Sequence, residues 1–189
     1  FLYTHMNKSF KYFFLLLSSL IHAESIVIDA NLDEAEWEKA YIINEYYETV
    51  PYTLKPAEVQ TVTKIISNKE GIYIGFTNYQ DNDLMLSNKS MRDENTNNVE
   101  QNGVAIDFDG DGSKAYMFIA TLANIQRDGI RRLGGWPEFD WDGDWEVKTK
   151  EYDGYWVSEF LIPWNVVLMK NVDGLERNIN ITTFRYIAK

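Results

Sequence analysis

Residues 145–162 read WEVKTKEYDGYWVSEFLI, and this stretch decides the fold class. It holds two runs in which apolar and polar residues alternate, Trp145 to Tyr152 and Tyr155 to Ile162, joined by Asp153-Gly154. Alternation with a period of two is typical of a strand with one buried face. An Asp-Gly pair between such runs favours a tight type I′ turn. The stretch therefore predicts a β-hairpin, and Pro163 predicts the end of its second strand.

Short strands of the same kind are predicted along most of the chain. Turn signals such as Asn68 to Gly71 and Asp109 to Gly112 separate them. Two stretches rich in polar residues, 81–100 and 124–144, are predicted to be long loops. Short strands at this spacing indicate an antiparallel sandwich or barrel. The further predicted strands are Gln60 to Ser67, Ile72 to Asn78, Val104 to Phe108, Ala115 to Leu122 and Asn178 to Ile187.

One short helix is predicted near the start of the domain. Asp33 is placed to cap its N-terminus, and Glu36 follows three residues later, as in a capping box. Trp37 and Ala40 then fall on one face of the helix, with Trp37 expected to pack on a sheet. The predicted fold class is all-β, an antiparallel β-sandwich with one short N-terminal helix.

The charge balance narrows the class of partner. The formal net charge is −11, so nucleic acid is not expected, because phosphate binding needs a basic face. The 189 residues predict a single domain, and there is no cysteine for disulfides or thiol chemistry.

The N-terminus predicts that the protein is exported. Lys8 and Lys11 precede an apolar run from Phe13 to Ile21, and Ala23 offers a small residue before cleavage. Residues 1–23 are therefore expected to be upstream residues and a signal peptide, and residues 24–189 the mature domain. Transport across a membrane is therefore expected. Both histidines lie in the part expected to be removed, which argues against histidine-based catalysis or haem binding.

An ordered set of segments resembles the family 9 carbohydrate-binding modules, first known as appendages of xylanases. The resemblance runs from about Ile26 to Arg185. The segments that carry it are Ile28 to Glu34 with Trp37 and Ala40, Ile72 to Phe76, Arg92-Asp93, Val104 to Asp107, Tyr116 to Phe118, Trp145-Glu146, and Gly154 to Trp156 with Glu159 and Ile162-Pro163.

The resemblance implies a jelly-roll-like β-sandwich that binds an oligosaccharide or polysaccharide, often with bound calcium. The sequence resembles in particular modules at the N-terminus of large exported bacterial proteins, which implies the periplasm, the outer membrane or the cell surface of a bacterium as the location. It thus implies a missing C-terminal membrane-barrel region and a domain truncated at its C-terminus. Enzyme activity, such as glycoside hydrolysis in carbohydrate catabolism, is expected from an attached domain rather than from this chain. The alternative is a structural periplasmic domain of an outer-membrane protein with no sugar site.

The second predicted loop contains the candidate sugar contacts. An aromatic plane packs against the C–H groups of a sugar ring, and nearby polar side chains bond the hydroxyl groups. Trp136 and Trp141 are the candidate planes, although both are equally suited to closing the end of the core, whereas Trp145 is expected to be core. The candidate polar partners in this loop are Arg131, Asp140 and Asp142, with Arg132 and Asp144 nearby.

The segment Asp107 to Gly112 is the candidate calcium site. Asp107, Asp109 and Asp111 place carboxylates at alternate positions before a glycine turn, which resembles the first half of a calcium loop. The same residues are also typical of a plain hairpin turn. Position 118 is Phe where an EF-hand would need Glu, so an EF-hand is excluded.

Among the carboxylates, no pair is singled out for glycoside hydrolysis. That chemistry needs two carboxyl groups roughly 5–9 Å apart. Glu100, Glu138 and Glu159 are the candidates, and Glu159 is expected instead to pair with Arg185 inside the protein.

Overall fold

The computed structural model describes residues 26–88, 91–92, 98–170 and 177–188. The predicted signal segment lies outside these residues, as does Asp93. Within them, no helix has the length and apolar character needed to cross a membrane.

The described residues form two antiparallel sheets. One has five strands in the order β1-β2-β3-β8-β7, and the other has four in the order β6-β5-β4-β9. The predicted all-β sandwich is thereby confirmed. The strands are β1 Tyr41–Ile43, β2 Thr61–Ser67, β3 Gly71–Tyr79, β4 Gln101–Asp107, β5 Lys114–Thr121, β6 Gln126–Arg132, β7 Glu146–Tyr152, β8 Tyr155–Pro163 and β9 Asn180–Tyr186.

The core lies between the sheets and is built from alternate residues of the central strands. Phe76 on β3 meets Phe160 on β8 edge to face, with ring centroids 5.7 Å apart. Trp145 stacks on Phe160 at 5.7 Å and contacts Phe118 of the opposite sheet at 5.4 Å. Trp145 is therefore a core residue, as predicted.

Polar side chains also join the two sheets. The Asn78 side chain on β3 donates to Asn102 Oδ1 on β4 at 2.7 Å, and Ser158 donates to the same oxygen at 2.7 Å. Buried polar groups of this kind are tolerated because each finds a partner. They fix how one sheet lies over the other.

The hairpin β7–β8 forms where it was predicted, with Tyr152 opposite Tyr155. Only Gly154 of the two turn residues has a positive φ, +80°, so the predicted type I′ turn is wrong. Asn82 explains the geometry, because its side chain accepts from the Gly154 N–H at 2.8 Å and donates to Asp153 at 3.0 Å.

The N-terminal helix is a single 3₁₀ turn, Ala35–Lys39. Trp37 is buried against Tyr73, as predicted. The predicted capping box is wrong, because Glu34 occupies the N-cap position and makes no side-chain cap. Its carboxylate instead accepts from the Val27 N–H at 2.9 Å, which ties down the start of the described chain. A second 3₁₀ turn spans Asn82–Leu84.

Candidate functional site

The predicted loop 124–144 contains an edge strand, which the sequence reasoning missed. β6 pairs with β5 along its length, and its far edge is bridged once by Glu138, whose N–H and C=O both bond to Ile130 at 2.8–2.9 Å. Between these two residues the chain turns sharply at Gly134, where φ is +73°. The result is a short hairpin arm at the rim of the sandwich.

Trp136 lies on this arm and is 91% exposed. The arm is held at several points: the Leu133 N–H donates to Ser113 at 3.0 Å, the Gly135 N–H donates to Arg132 at 2.9 Å, and Arg132 pairs with Glu138. An exposed indole on a braced turn offers both ring faces to a ligand and loses little entropy on binding.

Trp141 has a different environment. Its ring packs edge to face on Tyr116 and Phe118 of β5, with centroid distances of 4.9 and 5.8 Å. It is half-buried and covers one side of the core. Trp141 therefore closes one end of the core, whereas Trp136 stays exposed as a candidate sugar contact.

An ion cluster anchors the segment that follows Trp141. Arg92 lies 2.9 Å from the buried carboxylate of Asp128 and 2.5 Å from Asp142. Arg92 also donates to the Gly143 carbonyl at 3.1 Å, and the Gly143 N–H donates to Asp128 at 2.5 Å. Asp142, predicted as a sugar contact, is therefore engaged in positioning the loop. Sequence reasoning missed Asp128, because its partners lie 15 to 36 residues away.

The remaining predicted contacts are surface residues of the same region. Arg131 is exposed on β6 opposite Ala115, and Asp140 is exposed in the loop. At the other end of β6, the Arg127 guanidinium lies 3.6 Å from the centroid of Phe139, the residue before Asp140. Indole, guanidinium and carboxylate groups thus occur together on this rim, which suits a ligand rich in hydroxyl groups.

The candidate calcium segment forms a hydrogen-bonded turn. Asp107 accepts from the N–H groups of Asp109, Gly110 and Gly112 at 2.7–3.1 Å, and from the Asn180 side chain at 3.2 Å. Burial alone would raise the pKa of Asp107, but these hydrogen bonds outweigh it and hold the pKa below its ordinary value.

The other two carboxylates are already paired with basic side chains of the protein. Asp109 lies 3.3 Å from Arg177, and Asp111 lies 2.6 Å from Lys170, whose hydrogen bond lowers the pKa of Asp111. Nowhere in the described residues do three acidic or histidine side chains converge to hold a metal ion. As arranged, these groups do not fit calcium, since a metal ion would have to displace Lys170. Calcium binding here stays a prediction.

Each candidate catalytic carboxylate has a separate structural partner. Buried Glu100 pairs with buried Arg185 at 3.4 Å and accepts from the Ala188 N–H at 2.9 Å. Glu138 pairs with Arg132. Glu159 accepts from the backbone of residues 29 and 30. The predicted Glu159–Arg185 pair is wrong, because the two side chains project from opposite faces of their sheets.

Comparison with known proteins bears on the fold. No family profile matches the chain, and no curated protein matches it. A solved structure that resembles it is a family 9 carbohydrate-binding module from Caldicellulosiruptor kristjanssonii in complex with cellotriose. The TM-score is 0.50 at 16% identity, over 72% of this chain and 63% of that one. The chain therefore has the β-sandwich fold of a family 9 carbohydrate-binding module.

Proposed function

We propose that this chain is a non-catalytic module that binds a neutral oligosaccharide or polysaccharide on the rim that carries Trp136. The observation that carries the proposal is the 91% exposure of Trp136 on a hydrogen-bonded arm. A ligand that covers the exposed indole buries apolar surface, which is favourable by about 25 cal/mol per Å².

The neighbouring groups favour a hydroxyl-rich, uncharged ligand. Arg131, Arg132 and Asp140 are exposed within five residues of Trp136 in the sequence and offer hydrogen-bond donors and acceptors. The net charge of −11 disfavours anionic chains. The structural neighbour was solved with cellotriose, so cello-oligosaccharides are the first ligands to test.

The proposal includes export and an attached domain. Residues 1–23 have the pattern of a signal peptide, so the module would work in the periplasm or at the cell surface. An attached region of the protein would supply enzyme activity or anchoring.

The test is a titration of the protein with neutral oligosaccharides, followed by isothermal titration calorimetry, whose signal does not depend on Trp136. Trp136→Ala should lose binding, while Leu133→Ala, an 85% exposed residue on the same arm, should bind like wild type. A weakening of about tenfold or more is expected for truncation of an aromatic anchor. Equal affinity of Trp136→Ala and wild type would contradict the proposed site.

A structural domain without a sugar site is the second candidate. The packing of Trp141 against Tyr116 and Phe118 favours it, because that tryptophan is used in the core. A folded protein that binds none of the oligosaccharides would support this alternative.

A further inference from the structure

Three tyrosines lie side by side at one end of the five-stranded sheet. Tyr79 ends β3, Tyr155 begins β8 and Tyr152 ends β7, and Tyr155 is the register partner of both others. The rings of Tyr152 and Tyr155 stack at 4.7 Å, and Tyr79 lies 6.0 Å from Tyr155 with its plane tilted by 40°. Because neighbouring strands lie about 4.8 Å apart, the row spans about 10 Å.

The tyrosine row faces away from the core. The next residues along the two central strands, Asn78 and Trp156, are fully buried between the sheets, so strand alternation turns Tyr79 and Tyr155 outwards. The N-terminal segment covers a neighbouring part of this outer face, and Tyr152 donates from its hydroxyl to the Ala30 carbonyl at 2.9 Å. Tyr79, at the far end of the row, is 43% exposed.

A shallow, open hollow of about 600 Å³ lies at the turn that joins Tyr152 to Tyr155, and it is lined by residues 81–84 together with Asp153 and Gly154. Hydrogen bonds shape it before any ligand arrives: Asn82 bonds to Asp153 and Gly154, and the Gln80 N–H donates to the Gly154 carbonyl at 3.1 Å. Asp81, Asp83 and Asp153 place carboxylates around it, which accept hydrogen bonds from hydroxyl groups and repel anions.

We infer that the tyrosine row and its hollow form a second glycan-binding surface, on the sheet opposite to that of Trp136, for a neutral polysaccharide chain. Tyr79 offers a ring face for stacking, and the carboxylates of the hollow accept from sugar hydroxyls. The inference rests on the proposed function for the class of ligand only. A second surface would give the module two separate binding sites for polysaccharide.

The experiment is affinity electrophoresis of the full chain through gels that contain soluble neutral polysaccharides. Mixed-linkage β-glucan, xyloglucan, glucomannan and hydroxyethyl cellulose serve as probes, and carboxymethyl cellulose is the anionic comparison. Every variant carries Trp136→Ala, so that the row is measured without the first site. The added changes are Tyr79→Ala, Tyr79→Phe and, as a matched control, Tyr186→Ala, because Tyr186 is 42% exposed on the other sheet.

The expected result is retardation by a neutral polysaccharide that Tyr79→Ala weakens by about tenfold and that Tyr79→Phe and Tyr186→Ala preserve. Carboxymethyl cellulose should bind less well than the neutral polymers. Equal retardation with and without Tyr79→Ala in every gel overturns the inference, as does the absence of retardation for the Trp136→Ala protein. The separate oligosaccharide titration at Trp136 decides the first site, so the two can fail independently.

Discussion

The carboxylate of Glu159 lies 2.8 Å from the backbone nitrogen of Ala30, 129 residues earlier in the chain. The same oxygen accepts from the Asp29 N–H at 2.9 Å, while the other carboxylate oxygen is buried and has no hydrogen-bond partner among the described residues. Ala30 is fully buried with a φ of +64°, a conformation that is costly for a residue with a side chain. Glu159 thus clamps the N-terminal segment onto the outer face of β8.

This clamp predicts that stability falls as the pH rises. Burial raises the pKa of Glu159 from 4.5 to about 7, against the opposing effect of its two backbone hydrogen bonds. Because the folded pKa exceeds the unfolded one, the folded chain keeps a proton that the unfolded chain releases. The contribution to stability is therefore full below pH 4.5 and is lost as the pH rises towards about 7.

Glu159→Gln tests the clamp, because it keeps an acceptor oxygen and removes the charge. Urea unfolding at pH 5 and pH 8 should show that the variant gains stability relative to wild type at pH 8. If the stability of wild type and variant changed by the same amount between pH 5 and pH 8, the result would contradict the raised pKa of Glu159.

Replacing Trp136 and replacing Trp141 should have different effects on the stability of the protein. Trp141→Ala should lower the free energy of unfolding by about 2–4 kcal/mol, since it opens a cavity beside Tyr116 and Phe118. Trp136→Ala should change it by no more than about 0.5 kcal/mol, because the side chain lies in solvent. Chemical denaturation of both variants checks this, and similar losses would mean that Trp136 is packed too.

The buried ion pair between Arg185 and Glu100 should contribute to the stability of the fold. Replacing Arg185 with Met would leave a buried carboxylate unpaired, at a cost of about 3–5 kcal/mol. The double variant Arg185→Met with Glu100→Gln should recover part of that loss, because the unpaired charge is gone. A double-mutant cycle measures the recovery, and strict additivity would argue against the pair.

Replacing Asp107 distinguishes a structural turn from a calcium site. Asp107→Ala should destabilise the protein by about 2–3 kcal/mol in the presence of a chelator, because four N–H donors lose their acceptor. The exposed Asp111→Asn change is the control. If calcium raised the melting temperature of wild type but not of Asp107→Ala, the metal prediction would hold after all.

The sequence was informative where the core sets the pattern. The strands of the 145–162 hairpin were predictable because their alternate residues, such as Val147, Phe160 and Ile162, are buried between the sheets. β6 was missed because Ile130 alone of its residues packs against the core, and charged residues on an edge strand hide the alternation. The local pattern reports the burial of apolar side chains, and the buried residues of β6 are Asp128 and Gly129.

The site was less predictable for a related reason. Trp136 and Trp141 stand five residues apart in one loop rich in Gly and Asp, so local composition cannot separate them. Contacts with Tyr116 and Phe118 make the difference, and these belong to β5. The role of Asp142 depends in the same way on Arg92, 50 residues earlier in the sequence.

The most direct measurement is a two-dimensional ¹H–¹⁵N NMR titration of the tryptophan indole N–H signals with cello-oligosaccharides and other neutral oligosaccharides. The six tryptophans give separate signals that single substitutions can assign. We expect a saturable shift of the Trp136 signal, with the core signals of Trp145 and Trp156 nearly unchanged. A folded protein in which the Trp136 signal stays in place with every sugar would contradict it.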